Sequence, residues 1–253
     1  MLQTAIEAAR QAGQVIAERY PAEREVTIKG YRDIVTDADI AAEAIILNMI
    51  RDRFPDHAIL SEEAGESTGS GYTWVVDPLD GTTNYAHRIP VFAVSIGVLE
   101  GGEPLIGVIH DPLRGQTFVA ERGGGARVNS VPVRVSRVAN FGHTLLCLDW
   151  GHSDERRERA LAWLRELSPR CGTVRAFGSA ALGLAYVAAG WLDGYFHLAL
   201  KPWDSAAGML LVAEAGGRCT TLTGEPYRVD SPGCLATNGL IHEELLGVMR
   251  GGC

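Results

Sequence analysis

Asp77 and Asp80 stand three residues apart in Trp74-Val75-Val76-Asp77-Pro78-Leu79-Asp80-Gly81-Thr82-Thr83-Asn84. Val75 and Val76 are β-branched and favour a strand. Pro78 removes a backbone donor, so the ladder stops there and two carboxylates leave its end together. Gly81 permits close approach of a ligand to the backbone. A helix starting at Thr82 would present free amides to an anion. Two acids that repel each other call for a cation between them, and amides beside them suit a phosphate. That combination is the chemistry of metal-assisted phosphoryl transfer. Taken alone, Asp-x-x-Asp-Gly also reads as an ordinary turn, so the other acids of the chain must decide.

Three further acids qualify. A short strand over 58–61 runs into Glu62-Glu63, and adjacent residues on extended backbone point to opposite sides. One of the pair can therefore face a cleft. Asp39 lies in the first turn of a helix, where an acid complements the dipole. Asp204 follows Trp203 at another helix start, where it could equally serve as a cap.

The elements that must position these residues follow from periodicity. Leu2, Ile6, Ala9, Gly13 and Ile16 mark a helix over 2–19, ended by Pro21. Residues 26–29 are extended, and 30–36 read as a loop. A helix over 37–54 presents Ile40, Ala44, Leu47 and Ile50 as its buried stripe, and Pro55 stops it. Residues 65–71 read as a mobile Gly/Ser-rich loop. Strands over 91–99, 105–110 and 116–121 predict an antiparallel meander. The Gly-x-Gly within 122–126 precedes no helical pattern and has no nucleotide role. Beyond a composition shift near 138–144 come a strand at 143–148 and a helix at 154–167, with Leu161, Leu164 and Leu167 inward. A strand at 172–177 and a small-residue helix at 179–190 follow. Then come a strand at 195–197, a helix at 205–216, strands at 218–221 and 233–236, and a helix at 240–249. Meander first and alternation second predict a layered α/β protein. Its halves, 1–140 and 141–253, form one compact unit.

Composition narrows the partners. The 253 residues are 46% apolar with mean hydropathy +0.03, fitting a globular protein with a sizeable core. The net charge is −8 and Lys/Arg runs are absent, which argues against nucleic acid and anionic membranes as partners. Cys147, Cys171, Cys219, Cys234 and Cys253 form no Cys-x-x-Cys pair. Zinc and a disulfide framework are therefore not expected, and reduced thiols fit a cytoplasmic protein. The N-terminus has no signal-type apolar region, and no stretch reaches the roughly 18 apolar residues of a membrane span.

Ser61-Glu62-Glu63, the Trp74–Asn84 block, and Trp203-Asp204-Ser205-Ala206-Ala207-Gly208 leading to Glu214-Ala215-Gly216-Gly217 occur in order across the chain. Together with Asp33-Ile34-Val35-Thr36, Asp39 and Lys29, they resemble the inositol monophosphatase family. These are lithium-sensitive Mg²⁺ phosphatases, with relatives acting on fructose 1,6-bisphosphate and 3′-phosphoadenosine nucleotides. The resemblance implies an α-β-α-β-α sandwich of the sugar phosphatase type and two or three Mg²⁺ per site. Glu62 and Asp77, with the Leu79 carbonyl, would hold one ion. Asp77, Asp80 and Asp204 would hold a second, and Glu62 would help hold a third. Thr82, oriented by Asp39, would activate the attacking water together with Glu62. The Gly81 and Thr82 amides would bind the phosphate, and Lys29 would approach it from a loop. Asp80, Ala180 and the 175–178 turn would lie on the substrate side.

Two positions depart from the inositol-preferring pattern. His197 replaces a Glu that contacts a ring hydroxyl, and His152 aligns with a Ser of the same pocket. Each His has an ordinary structural alternative. Loss of an acid and gain of two donors predict substrate choice shifted toward a sugar phosphate carrying a further anionic group. The expected protein is a Mg²⁺-dependent phosphomonoesterase acting on inositol monophosphate or a related small sugar phosphate. A fructose-1,6-bisphosphatase and an adenosine 3′,5′-bisphosphate phosphatase are the alternatives within the family. A metal-free carboxylate-pair hydrolase and a regulatory binding protein are the alternatives outside it. The resemblance also implies a homodimer and a small phosphorylated metabolite as partner.

Overall fold

A stripe of small side chains sets the first packing contact. In α1 (Leu2–Arg19), Ala5, Ala8, Ala9, Ala12, Gly13 and Ile16 are buried. They pack with α2 (Asp37–Arg53) over one face of a large sheet. Between the two helices, β1 (Val26–Gly30) and β2 (Asp33–Thr36) pair as an antiparallel hairpin, where the sequence predicts a loop over 30–36. The computed structural model describes residues 1–251, so Cys253 lies outside the described residues.

α2 is rotated relative to its expected stripe. Ile40 and Ala44 are exposed, and Ala38, Asp39, Ala42, Glu43, Ile46, Leu47 and Ile50 are buried. Hydrophobicity alone misplaces the face because Asp39 and Glu43 find protein hydrogen-bond donors on the inner side. A buried acid with partners is tolerated, and Ile40 turns to solvent.

The large sheet comprises β3 (Ala58–Ser61), β4 (Gly65–Ser67), β5 (Tyr72–Asp80), β6 (Ala93–Glu100), β7 (Glu103–Asp111), β8 (Gln116–Glu121), β9 (Gly125–Val128) and β10 (Val131–Val133). Its spatial order is β10-β9-β8-β7-β6-β5-β3-β4. β6 to β8 form the expected meander, extended by β5 on one side and by β9 and β10 on the other. β3 runs parallel to β5, and β4 folds back on β3. A short helix, α3 (Thr82–Ala86), follows β5. β4, β9 and β10 span only three or four residues each, too few for an alternating pattern to register.

The second half contributes β11 (Leu145–Asp149), α4 (Asp154–Leu167), β12 (Thr173–Arg175), α5 (Ala180–Ala188), β13 (Gly194–His197), α6 (Pro202–Glu214), β14 (Arg218–Thr220), β15 (Cys234–Thr237) and α7 (His242–Gly251). The five strands order as β12-β11-β13-β15-β14. α5 and α6 lie between the two sheets, sharing a core with Ala93, Ile109 and Phe118 on one side and Cys147, Tyr195 and Ala236 on the other. α4 and α7 cover the outer face of the small sheet. The layers are therefore α1/α2, large sheet, α5/α6, small sheet and α4/α7, the expected α-β-α-β-α sandwich. Within α4 the inward residues are Ala160, Trp163 and Leu167, while Leu161 is 53% exposed. The Trp163 ring, packed edge-on against Phe196, sets the helix rotation.

Gly97 and Gly107 are cross-strand partners in β6 and β7. A Cβ on Gly107 would lie 2.5 Å from the Ala207 carbonyl oxygen, and one on Gly97 would lie 2.9 Å from the Ala206 Cβ. On the helix side, Gly208 meets Leu184 of α5 in the same way. These glycines let α6 settle onto the sheet backbone, which carries Asp204 to the end of β5. Among the described residues no helix is long and apolar enough to cross a membrane.

His242 has no exposed surface; its ring nitrogens contact Thr220 Oγ1 at 3.0 Å and Thr237 Oγ1 at 2.8 Å. Burial lowers its pKa from 6.5 to about 4. The unfolded chain therefore binds the proton more readily between those values, and stability present above pH 6.5 is lost as the pH falls toward 4. His242→Gln is expected to flatten this loss. Comparing denaturant midpoints of the two proteins from pH 7 to pH 4 checks it; parallel curves contradict it.

Candidate active site

A bulge aims the two central acids. Asp77 pairs with Ser95 and Asp80 with Ala93, so Pro78 and Leu79 of β5 oppose the single residue Val94 of β6. Regular alternation would send residues three apart to opposite faces. The extra residue restores them to one face, a common use of bulges beside active sites. The Leu79 amide donates to Asp77 Oδ1 at 3.0 Å and closes the turn, and the Leu79 side chain anchors in the α1/α2 core.

Asp80 is held by the start of α5. Its carboxylate accepts the Ser179 hydroxyl and the amides of Ala180 at 3.1 Å and Ala181 at 3.0 Å. Asp204 sits in the first turn of α6 and accepts the Lys201 amide at 2.7 Å. Carboxylate oxygens of Asp77, Asp80 and Asp204 all lie within 4.8 Å of one another. Burial, then the charges of Glu62, Asp80 and Asp204, hold the Asp77 carboxyl well above its ordinary range. Burial likewise raises Asp80, against the opposing hydrogen bond from Ser179. Asp204 is raised by burial and by Asp80 and Glu62, against the Lys201 amide. Among the described residues no Lys, Arg or His side chain forms an ion pair with any of the three. Three converging hard-oxygen donors without a counter-charge fit a divalent cation of the magnesium type.

Glu62 lies beside this trio. Its amide donates to the Val76 carbonyl at 3.1 Å, continuing the parallel pairing of β3 with β5. Lys29 reaches over from β1, with Nζ 3.1 Å from Glu62 Oε1 and 2.6 Å from Glu63 Oε1. Burial alone would lower the Lys29 pKa, but Glu63 and Glu62 outweigh it and keep the ammonium protonated.

On the other side, the Thr82 hydroxyl lies 3.0 Å from Asp39 Oδ1 and 3.0 Å from the Leu79 carbonyl. Asp39 closes a capping box at the start of α2, accepting the Thr36 amide at 2.8 Å. Burial pushes the Asp39 carboxyl up to about 6, against the bonds from Thr36 and Thr82. Gly81 has φ +96°, and a Cβ there would lie 3.0 Å from the Val91 carbonyl and 3.2 Å from that of Gly178. Only glycine fits, and the Gly81 and Thr82 amides open α3 beside the acids.

The two histidines stand differently. His197 is buried, its Nδ1 accepts the Ala199 amide at 2.9 Å, and burial lowers its pKa to about 3. It is a neutral ring fixed in a local turn. His152 is exposed, and its carbonyl accepts Arg32 Nη1 at 2.9 Å. Arg32 also pairs with Asp154 at 2.7 Å, joining the β1–β2 turn to the loop after β11.

Four supporting residues escape the sequence reading. Ser179 caps α5 and holds Asp80. Asp149 accepts the Gly178 amide at 2.7 Å and the Tyr195 hydroxyl at 3.1 Å, fixing the turn before Ser179. The Asn84 amide donates to the carbonyls of Val91 at 2.8 Å and Phe177 at 2.7 Å. Glu43 binds the turn that carries Glu62. Its signal was its place four residues after Asp39, on one face of a helix. A groove of about 610 Å³ beside α4 and β12, lined by Leu161, Leu164 and Val174, contains none of these acids.

The inositol monophosphatase family model matches residues 1–251. The chain is 43% identical over 257 aligned residues to the Nus factor SuhB of Salmonella typhimurium, covering 99% of this chain and 96% of that protein. It is 41% identical to the inositol-1-monophosphatase of Synechocystis sp., over 96% of this chain and 86% of that one. Among solved structures, the extragenic suppressor protein suhB of Bartonella henselae superposes with a TM-score of 0.96 at 37% identity, covering 99% and 98% of the two chains. With the acid trio, the Gly81-Thr82 turn and the five layers in place, the chain belongs to the inositol monophosphatase family.

Proposed function

We propose that this protein is a Mg²⁺-dependent phosphomonoesterase that hydrolyses inositol monophosphate or a related small sugar phosphate. The observation that carries this reading is the uncompensated trio Asp77, Asp80 and Asp204 beside the Gly81-Thr82 amides. Asp77, Asp80 and Asp204 would hold one ion, and Glu62, Asp77 and the Leu79 carbonyl another, with Glu62 assisting a third. Bound there, magnesium supplies Lewis-acid polarisation and neutralises charge on the phosphoryl oxygens.

The chain's own groups do the rest. The Gly81 and Thr82 amides bind a phosphoryl oxygen. Thr82 donates its proton to Asp39 Oδ1, which leaves its lone pairs free to orient a water molecule. The Glu62 carboxylate would accept that water's proton as it attacks phosphorus; the P–O bond to the alcohol breaks in the same displacement, and the departing alkoxide takes a proton from solvent water to leave as the alcohol. Lys29 adds positive charge above the phosphate. Asp80 and Ala180 border the alcohol side, with His197 and His152 beyond them, and a homodimer belongs to the same reading. Phosphate release from inositol 1-phosphate, fructose 1,6-bisphosphate and adenosine 3′,5′-bisphosphate tests it. Release should vanish with chelator and return with Mg²⁺; release indifferent to chelator contradicts the reading.

A second reading is a factor acting through a bound partner, favoured by 43% identity to a protein named Nus factor SuhB. Failure of all three substrates, with a specific protein captured equally by wild type and by Asp77→Asn, supports it.

A further inference from the structure

We infer that Glu43 is a positioning residue that fixes Glu62 in the active site, an inference resting on the phosphatase reading above. Glu43 sits on α2 with 7% of its surface exposed. Its Oε1 accepts the Ser61 hydroxyl, the Glu63 amide at 3.1 Å and the Ala64 amide at 3.0 Å. These three donors bracket Glu62 in the chain, one before it and two after. The Glu62 amide itself is taken by Val76. The chain is thereby tied on both sides of Glu62, through the Ser61 hydroxyl before it and the Glu63 and Ala64 amides after it. Charge-assisted bonds of this kind are stronger than neutral ones.

The placement on α2 gives the arrangement its purpose. Asp39 and Glu43 are four residues apart, about 6 Å along one helix face. Asp39 holds Thr82, and Glu43 holds the turn of Glu62. Thr82 and Glu62 come from different strand ends, yet both must face the same water. One rigid helix spaces them. The Glu43 carboxylate touches neither the acid trio nor Lys29 among the hydrogen bonds and ion pairs of the described residues, so its effect passes through backbone.

The test uses the Mg²⁺-loaded protein and inositol 1-phosphate, with Glu43→Ala, Glu43→Gln, Ser61→Ala and Glu62→Gln. Misplacing a reacting group by about 1 Å costs roughly 100-fold in rate. Glu43→Ala is expected to lower kcat by about that factor, leave KM near wild type, and raise the Mg²⁺ concentration for half-activation. Glu43→Gln keeps an acceptor oxygen and should recover most of kcat. Ser61→Ala removes one of three donors and should lower kcat in the same direction by less, which keeps the test open if Glu43→Ala does not fold. Wild-type kcat in Glu43→Ala, or in Ser61→Ala where the former is unfolded, overturns the inference. So does a kcat loss in Glu43→Ala that Glu43→Gln fails to relieve. Glu62→Gln separates the two levels: wild-type rates from that variant overturn the phosphatase site itself.

Discussion

Asp77→Asn should reduce phosphate release by roughly 10³-fold or more while raising the melting temperature of the cation-free protein. Asp77 is 1% exposed and faces Asp80, Asp204 and Glu62 with no compensating side chain. A ligand worth several kcal/mol of transition-state charge stabilisation corresponds to three or more decades of rate. The same carboxylate destabilises the cation-free fold, because burial and neighbouring acids both disfavour its charged form. Asparagine keeps the Oδ1 that accepts the Leu79 amide, so the turn survives. The two effects therefore have opposite signs. Adding Mg²⁺ should raise the melting temperature of wild type, since binding to the native state alone contributes about 2.7 kcal/mol at a hundredfold excess over Kd. It should raise that of Asp77→Asn far less. Wild-type turnover in the variant, or an unchanged magnesium response, contradicts the assignment of this acid.

Gly107→Ala is the second large effect. The added Cβ meets the Ala207 carbonyl oxygen at 2.5 Å and the Ala207 Cα at 3.0 Å, both backbone atoms that cannot turn aside. Helix α6 or strand β7 must shift. Overpacking of this kind costs about 1–3 kcal/mol, and more where backbone is struck. Because Asp204 rides on the first turn of α6, the shift also draws its carboxylate away from Asp77 and Asp80. The expected result is a lower melting temperature together with a smaller stabilisation by Mg²⁺. Gly247 provides the contrast. It lies in α7 with nothing within 4 Å of an added Cβ. Alanine there should stabilise the protein by about 0.5–1 kcal/mol, since helical glycine is entropically costly. Equal melting temperatures for the two variants would show that the glycine seam beneath α6 is not tightly packed.

These residues also show what the sequence could disclose. The meander was legible because β6 to β8 are long enough for their pattern to register, and α4 was legible from Asp154 to Leu167. The rotations of α2 and α4 were not. Both depend on distant partners: the donors whose hydrogen bonds the buried Asp39 and Glu43 carboxylates accept, and the Phe196 ring that receives Trp163. The central acids stood out because Asp77, Asp80 and Asp204 sit in distinctive local contexts. Ser179, Asp149 and Glu43 did not, since each acts on a segment 18 to 99 residues away. A serine before a helix looks the same whether it merely caps that helix or also holds a carboxylate elsewhere.

The middle helical layer has a consequence for synthesis on the ribosome. Strands β5 to β8 emerge well before α5 and α6, with the large-sheet face formed by Ala93, Ile109 and Phe118 waiting for those helices. At roughly 5–20 residues per second, Asp204 arrives several to some tens of seconds after Asp77. During that interval a nascent chain displays a bare apolar face and an incomplete acid cluster. The trio Asp77, Asp80 and Asp204 can close only once α6 docks, which makes that docking one of the last events of maturation.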